Sequence, residues 1–352
     1  MNNRNIIKVL SAISTGIVIV LILYAYSISQ INHKGSFIRL FPPHVLNNFK
    51  YLNLVYDSYY LAGITDRNIY LGNYTAPAKV LVISKDFSTR HQIDLTIADS
   101  IKLNWSRAKV IVSDEIIYIG EGNSPAMLYS SLQEGRMNTT IMDTLHFDHD
   151  WVPMSTQSFV VRKYDSGQKQ NILVKKQNGR PIIITSNGIL EKQIDGKFCT
   201  DGTLLFDSPH SRLLYIYYYR NQFIVMDTNL NIISKFKTID TTNKASISLD
   251  TIYSENRVTF ASPPRIVNKR ASVSNNLLFI NSNLRASNED EELGKQDTDI
   301  DIYNIVNGNY EFSFSLPAFR KQKLSSMIVS GKMIYGIFNN YLISYELNLQ
   351  KL

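Results

Sequence analysis

The chain has 352 residues, with 37 lysines and arginines against 30 aspartates and glutamates, which gives a net charge of +7. Hydrophobic residues make up 44% of the chain and charged residues 19%, so it is not a collagen-like, low-complexity or mostly disordered protein. A single cysteine, Cys199, excludes a framework of disulfides within the chain.

One stretch near the N-terminus has the sequence pattern of a membrane span. An uncharged run of about 20 residues extends from Val9 to Ile28 and follows the cations Arg4 and Lys8. Positive charge ahead of such a run predicts a cytoplasmic N-terminus. We therefore expect residues 1–34 to be a cytoplasmic stub and transmembrane signal anchor. Residues 35–352 are then a periplasmic or extracellular domain.

A cleaved signal peptide is the alternative, because Ala25, Ser27 and Ser29 offer small-residue cleavage sites, and the chain is then secreted. The run is longer than the usual hydrophobic region of roughly 7–15 residues, which favours the anchor. Without residues 1–34 the balance is 34 basic against 30 acidic residues, or +4. Short basic groups at 265–270 and 320–323 are interpreted as solvated loops, so nucleic acid is not an expected partner.

The remaining chain has the pattern of short β-strands. Runs rich in Ile, Val, Tyr, Phe and Thr alternate with turns rich in Asn, Asp, Gly and Ser. The runs group into units of four, and the second strand of most units carries an apolar–aromatic pair. These pairs are Ile69-Tyr70, Ile117-Tyr118, Leu214-Tyr215, Leu278-Phe279 and Ile334-Tyr335. Their mean spacing is 53 residues over the five intervals of the repeat, which predicts an all-β, six-bladed β-propeller with four-stranded antiparallel blades.

Six units of predicted strands follow one another along the chain. The predicted strands are Tyr59–Ile64, Asn68–Asn73, Lys79–Ser84 and Arg90–Leu95; Ala108–Val112, Ile116–Glu121, Ala126–Ser130 and Thr139–Leu145; Ser158–Lys163, Asn171–Lys176, Pro181–Thr185 and Leu190–Ile194; Thr203–Phe206, Arg212–Tyr219, Gln222–Met226 and Ile232–Lys237; Arg265–Ser272, Leu277–Asn281, Asp299–Asn304 and Tyr310–Ser315; Lys323–Val329, Met333–Phe338 and Tyr341–Leu347. The sixth unit lacks one strand, which residues 48–56 are predicted to supply, and this closes the ring. Seven blades, with residues 243–262 in the extra blade, and a pair of β-sandwiches are the alternatives.

The layout resembles the broad group of six-bladed propellers that includes the TolB-like, NHL and YWTD types, although the YWTD tetrapeptide is absent from the second strands. The stretch Asp57–Pro77 is also similar to the first blade of uncharacterised membrane-anchored proteins of Bacteroidota. These resemblances imply the fold and a membrane-anchored location. They imply no activity and no functional residues.

The most concentrated group of metal-type side chains lies between the second and third predicted units. It comprises His146, Asp148, His149 and Asp150, since imidazole and carboxylate groups are usual ligands of transition metals. The helical H-E-x-x-H arrangement is absent, and no further ligand can be placed beside them. These four residues are therefore weak metal candidates, and a polar loop anchored by Trp151 is the preferred interpretation.

A second acidic group follows residues 289–292, where Asp297, Asp299 and Asp301 alternate in a pattern that suggests a calcium loop. The glycine and terminal glutamate of an EF-hand loop are absent. We predict instead a long, solvated hairpin whose length makes it a candidate contact loop. The tyrosines of 213–219 are predicted to pack between blades, with an aromatic ligand platform as the alternative, and Cys199 is predicted to be buried and inert.

The sequence contains no G-x-S-x-G, P-loop or G-x-G-x-x-G motif, and no cofactor is expected. The leading hypothesis is a membrane-tethered binding module for a protein, peptide or glycan partner, attached to the membrane through residues 9–28. One alternative is a propeller enzyme of the metal-dependent hydrolase or lactonase type, with its site at the central channel. Another is an accessory subunit of a membrane redox or export complex, and fold alone does not choose between them.

Overall fold

The computed structural model describes residues 3–31, 35–98, 101–124, 126–133, 135–142, 146–147, 150–178, 184–185, 188–255, 257–289 and 297–349. Within these ranges the chain forms one N-terminal helix, α1 (Asn3–Ile31), three short 3-10 turns and 26 β-strands. The fold beyond α1 is therefore all-β, as its alternation of apolar runs and turn residues predicts.

The strands form six four-stranded sheets and one separate hairpin. Their bounds are β1 (Leu46–Asn53), β2 (Tyr59–Ile64), β3 (Asn68–Asn73), β4 (Lys79–Ser84), β5 (Arg90–Asp94), β6 (Lys109–Ser113), β7 (Ile116–Glu121), β8 (Ala126–Ser131), β9 (Asn138–Met142), β10 (Trp151–Ser155), β11 (Ser158–Asp165), β12 (Gln170–Gln177), β13 (Ile184–Thr185), β14 (Gly202–Asp207), β15 (Arg212–Tyr217), β16 (Gln222–Asp227), β17 (Ile232–Lys237), β18 (Leu249–Ile252), β19 (Arg257–Phe260), β20 (Asn268–Ser274), β21 (Leu277–Ser282), β22 (Thr298–Asn304), β23 (Tyr310–Leu316), β24 (Leu324–Ser330), β25 (Met333–Phe338) and β26 (Tyr341–Leu347).

The six sheets are the blades of a closed propeller. Blades 1 to 5 are β2–β5, β6–β9, β10–β13, β14–β17 and β20–β23, each in sequential antiparallel order. The first strands contact one another around the ring, in the order β2, β6, β10, β14, β20, β24 and back to β2. The six-bladed prediction is confirmed, and the seven-bladed and β-sandwich alternatives are wrong.

Blade 6 is completed by the N-terminal strand, as predicted. Its order is β24, β25, β26 and then β1, which lies antiparallel to β26 with Lys50 opposite Ser344. This pairing joins the two ends of the propeller in one sheet and leaves no unpaired blade where the ring begins and ends.

Six apolar clusters lie at the six junctions between neighbouring blades. Aromatic residues of the second strands are central to them: Tyr215 and Phe279 are fully buried, and Tyr335 is 1% exposed. Both faces of a blade are covered by neighbours, which explains why these strands have continuous apolar runs. The predicted packing role of the second-strand aromatic residues is confirmed.

The third blade differs from its prediction by one strand. The strand β10 was missed, so β11 was predicted as the first strand of the blade when it is the second. The second-strand aromatic residue of this blade is Phe159, which is fully buried. The predicted strand Leu190–Ile194 is not a strand, since Leu190 instead packs as loop into the cluster between blades 3 and 4.

Residues 243–262 form an insertion between blades 4 and 5 and not a seventh blade. Within them, β18 and β19 pair as an isolated antiparallel hairpin. The hairpin packs on a small cluster that contains Cys199, Tyr219 and Ala245. Cys199 is buried and unoxidised there, as predicted.

The N-terminal helix α1 precedes the propeller. The apolar side chains of α1 between Leu10 and Tyr24 are exposed. Among the described residues, no helix has the combination of length and apolar character that crossing a membrane requires.

Residues 35–41, here called the strap, run along the outer part of blade 5 before β1 begins. Gly35 N donates to Arg285 O at 2.7 Å, and Ser313 N donates to Leu40 O at 2.8 Å. Phe37 is buried against Val267 and Leu284. The strap is thus bound to blade 5 by both backbone hydrogen bonds and apolar packing.

Candidate functional site

One face of the propeller is built from the starts of the first strands and the ends of the second strands, and we call it the mouth face. These two ends lie side by side because neighbouring strands are antiparallel. Hydrogen bonds tie them together: Tyr74 N donates to Ser58 O at 2.9 Å in blade 1, and Tyr218 N donates to Asp201 O at 2.9 Å in blade 4. The loops here surround the central channel, the usual site of ligands in closed β-structures.

An ion cluster joins blades 3 and 4 at the mouth face. Arg162, from β11, contacts the carboxylate of Asp150 at 2.6 Å and also contacts the carboxylate of Asp201. The two aspartates directly precede the first strands of their blades. Because Arg162 is largely buried, its charge needs such partners to offset the loss of hydration.

The aromatic run of blade 4 divides into two parts at the mouth face. Tyr215 and Tyr217 are fully buried between blades, whereas Tyr218 is half-buried at the face. Thr203 Oγ1 donates to the Tyr218 hydroxyl at 3.3 Å. Burial, and then the charge of Asp150, raise the pKa of Tyr218 above its ordinary value, so this phenol stays protonated at neutral pH.

Arg270 of blade 5 is held by hydrogen bonds within its own blade and to the neighbouring blade 6. Its Nε donates to Ser325 O at 2.7 Å, and its Nη1 donates to Asn281 Oδ1 at 3.2 Å. Burial lowers the pKa of Arg270, and the phenols of Tyr74 and Tyr218 act in the opposite direction. Tyr74 belongs to blade 1 and Tyr218 to blade 4, so the charge of Arg270 is within electrostatic range of two other blades.

Basic side chains from blades 5 and 6 meet beside Arg270. Lys269 and Arg270 begin blade 5, and Lys323 directly precedes the first strand of blade 6. Burial, followed by the charges of Arg270 and Lys323, lowers the pKa of Lys269. We call Lys269, Arg270 and Lys323 the basic cluster.

The isolated hairpin stands beside the mouth. Phe260, at the end of β19, packs on Phe198 and Tyr219, with ring centroids 4.6 and 5.9 Å away. Tyr253, at its tip, is 90% exposed. The insertion therefore adds a wall with an exposed aromatic side chain to one side of an otherwise regular propeller.

Two of the four predicted metal candidates, His146 and Asp150, lie within the described residues. His146 is exposed, and Asp150 pairs with Arg162. Asp148 and His149 lie outside the described residues. Among the residues that are described, no three His, Cys, Asp or Glu side chains are grouped to hold a metal ion. Trp151 is buried as the first residue of β10, and Gly120 lies directly beneath its indole ring, where a Cβ would be 2.5 Å from the ring.

The alternating aspartates of blade 5 have partners within the protein. Asp301 accepts from Arg39 Nε at 2.7 Å and Asp299 accepts from Ser315 Oγ at 2.6 Å. Asp297 accepts from Ala318 N at 3.1 Å. Asp299 and Asp301 lie in β22, as the strand prediction expected, and Glu289 of the predicted contact loop is buried against Arg39.

Sequence reasoning missed two features of this region. The basic residues 265–270 and 320–323 were interpreted separately as solvated loops, but the packing of blade 5 against blade 6 brings Lys269 and Lys323 together. The available signal was positional, because both lysines lie where the first strand of a blade begins. Arg39 gave no signal, since its acidic partners are about 250 residues away along the chain.

Comparison with solved structures places the fold among known propellers. A member of the DUF4221 family from Bacteroides vulgatus matches with a TM-score of 0.53 at 11% identity, covering 90% of this chain and 99% of that chain. Its likeness concerns the fold alone, and it confirms the predicted resemblance at that level.

Two further structures were found at lower similarity. BamB from Moraxella catarrhalis has a TM-score of 0.40 at 10% identity, covering 81% of this chain and 84% of that chain. A nidogen–laminin complex has a TM-score of 0.44 at 8% identity, covering 77% of this chain and 85% of that chain. No protein-family model matches the sequence, and no curated protein matches it.

Proposed function

We propose that this protein is a binding module that takes its ligand at the mouth face. The observation that carries the proposal is the way Arg270 is fixed at the mouth face, by hydrogen bonds to Ser325 O of blade 6 and to Asn281 Oδ1 of blade 5, within electrostatic range of Tyr74 and Tyr218. Side chains from separate blades converge there on a rigid frame, and aromatic and arginine side chains are those most often found at the centre of binding surfaces. The partner classes we propose are a protein, a peptide or a glycan.

The state of the mouth carboxylates favours binding over catalysis. Asp150 and Asp201 both pair with Arg162, so both carboxylates are engaged in structural contacts. A general acid or a metal-bound water would need a carboxylate free to exchange a proton or to coordinate. The hydrolase alternative has no comparable observation to support it in the described residues.

The test uses the full chain, purified in mild detergent, on glycan and peptide arrays. Tyr74→Ala removes a side chain that is 67% exposed at the mouth, whereas Ile233→Ala removes an exposed apolar side chain from the outer strand of blade 4. We expect ligands that bind the parent protein to lose at least about tenfold in affinity with Tyr74→Ala. The Ile233→Ala control should bind like the parent. Failure to bind any array ligand, or equal effects of the two variants, would count against the proposal.

We further propose that the module is attached to a membrane, with the propeller on the extracytoplasmic side. No helix of the described residues qualifies as a membrane span, so this proposal depends on two other observations. The run from Val9 to Ile28 is uncharged and follows two cations, and the apolar side chains of α1 are exposed rather than packed on the propeller. Secretion after cleavage of this segment is the outcome that N-terminal sequencing of the mature protein distinguishes.

A further inference from the structure

The basic cluster unites cations from two segments that are about 50 residues apart in the sequence. Lys269 and Lys323 each lie at the start of the first strand of a blade, and these strands, β20 and β24, contact each other in the ring. The positive charges of neighbouring side chains repel one another where they are partly shielded from water. The two lysines are nevertheless exposed at the mouth, where a ligand can reach them.

Two buried arginines of this protein have acidic partners. Arg39 pairs with Glu289 and Asp301, and Arg162 pairs with Asp150. Within the described residues, by contrast, no carboxylate forms an ion pair with Lys269, Arg270 or Lys323. The described part of the protein therefore leaves a local excess of three positive charges at one side of the mouth.

The backbone positions these charges with two irregularities. The pairing of β20 with β21 shifts register between Asn268 and Arg270, so Lys269 lies in a bulge. The pairing of β24 with β25 shifts at the equivalent place, between Leu324 and Ser326, and Ser325 O is there the acceptor of Arg270 Nε. Bulges redirect side chains at the rims of closed sheets and are frequent next to functional sites.

Hydrogen bonds fix the guanidinium of Arg270 through two of its nitrogens and leave the third for a ligand. Its Nε and one Nη1 hydrogen bond to Ser325 O and Asn281 Oδ1. In the described residues, no acceptor contacts Nη2. A planar guanidinium fixed in this manner, with two flexible ammonium groups beside it, matches the several oxygens of a phosphate or carboxylate group.

We propose that Lys269, Arg270 and Lys323 form the subsite for an anionic group, phosphate or carboxylate, of the ligand bound at the mouth face. The inference rests on the proposed binding function and names the chemistry that the ligand carries. We assign the aromatic contacts for the remainder of the ligand to Tyr74 and Tyr218, whose phenols are within electrostatic range of Arg270.

The experiment is isothermal titration calorimetry of the full chain in mild detergent at low ionic strength, with pyrophosphate and citrate as probes. The double variant Lys269→Gln/Lys323→Gln removes two charges but leaves Arg270 and its structural hydrogen bonds intact. We expect at least one probe to bind the parent protein and the double variant to bind it at least about tenfold more weakly. Preference for pyrophosphate or for citrate then identifies the anionic group.

The matched control is Lys50→Gln/Lys237→Gln, which removes two exposed lysines from the outer strands β1 and β17. The control should bind like the parent protein. No binding of either probe to the parent, or an equal loss in both double variants, overturns the inference. If neither probe binds while array ligands still depend on Tyr74, the anionic subsite fails and the proposed binding function stands. If the probes depend on the lysines while the arrays give no Tyr74-dependent ligand, the anionic subsite stands and the proposed binding of a ligand through Tyr74 fails.

Discussion

Arg39 shows how single side chains fix the start of this fold. Its guanidinium is fully buried and contacts the carboxylates of Glu289, Asp299 and Asp301. Burial alone would lower the pKa of Arg39, but the three carboxylates, Asp301 foremost, hold it above its ordinary value. Three acids around one cation leave an excess negative charge in the cluster. The charges of Glu289 and Asp301 therefore disfavour the ionised form of Asp299.

Asp299 gives a pH-dependent prediction. Burial, opposed by Arg39 and Ser315 and assisted by Glu289 and Asp301, raises the pKa of Asp299 to about 6. An aspartate in the unfolded chain titrates near about 4, so between these values the folded state binds more protons and stability falls as the pH rises. Asp299→Asn should raise the free energy of unfolding at pH 7.5 by roughly 1–3 kcal/mol and change it little at pH 4.5. Urea denaturation at both pH values measures this.

Arg39→Met is the contrasting variant for the same cluster. It leaves the buried carboxylates without their cation and should destabilise the protein by about 3–5 kcal/mol at pH 7.5. A stabilisation by Asp299→Asn that is the same at both pH values would contradict the linkage, because the effect would then not arise from titration of Asp299.

At the scale of elements, strand β1 closes the ring of blades, although most of its side chains are exposed. Leu54 N donates to Asn340 O at 2.8 Å at the end of the pairing with β26. Because alternate residues of an antiparallel pair form the hydrogen bonds, Leu52 and Lys50 are the preceding donors along β1. These few bonds connect the first and last segments of the ring.

Lys50→Pro tests the closure. Proline removes one donor of this ladder, so we expect a loss of roughly 2–3 kcal/mol in the free energy of unfolding. Lys50→Gln keeps the donor and removes the same charge, and it should leave stability within about 0.5 kcal/mol of the parent. Thermal and urea denaturation compare the two variants, and equal stability of both would show that closure by β1 contributes little.

The sequence predicted most elements because most blades repeat one pattern. The four strands of blades 1, 2, 4 and 5 were placed to within about three residues, and blade 6 was completed by the predicted N-terminal strand. Blade 3 failed at β10, where Pro153 and a shifted register interrupt the strand pattern. Leu190–Ile194 was then predicted as the fourth strand of the blade, although these residues form a loop and Leu190 is buried in it.

The candidate site was less predictable than the blades. The tyrosines of blade 4 were correctly assigned to packing at Tyr215 and Tyr217, whereas Tyr218 is half-buried at the mouth face. The basic cluster arises only when blade 5 packs against blade 6 and β20 lies beside β24. Local patterns predict strands, whereas a site shared by several blades depends on contacts between distant segments.

At the scale of the whole molecule, the propeller is a ring of equivalent junctions with one departure. Each junction contains an apolar cluster, and the hairpin insertion between blades 4 and 5 alone interrupts the order of the described strands. The insertion lies between blades 4 and 5, and the basic cluster lies where blades 5 and 6 pack together. Both of these departures from the regular repeat are therefore beside blade 5.

The proposed membrane attachment is tested on the native full chain. We expect it to sediment with membranes and to resist extraction by alkaline carbonate, because the apolar run from Val9 to Ile28 holds it there. Ile17→Lys/Leu21→Lys places two charges in the run and should release the protein into the soluble fraction. The matched variant Ile17→Val/Leu21→Val should sediment like the parent. Full carbonate extraction of the parent protein would contradict the proposal.

The strap has a mechanical consequence. A pull on α1 first reaches residues 35–41, which are bound to blade 5 through the backbone of Arg285 and Ser313 and through buried Phe37 and Arg39. Only after these contacts rupture does the load reach β1 and the closure of blade 6. The contacts of the strap with blade 5 therefore bear tension applied to the N-terminus before the pairing of β1 with β26 does, and the ring stays closed while they hold.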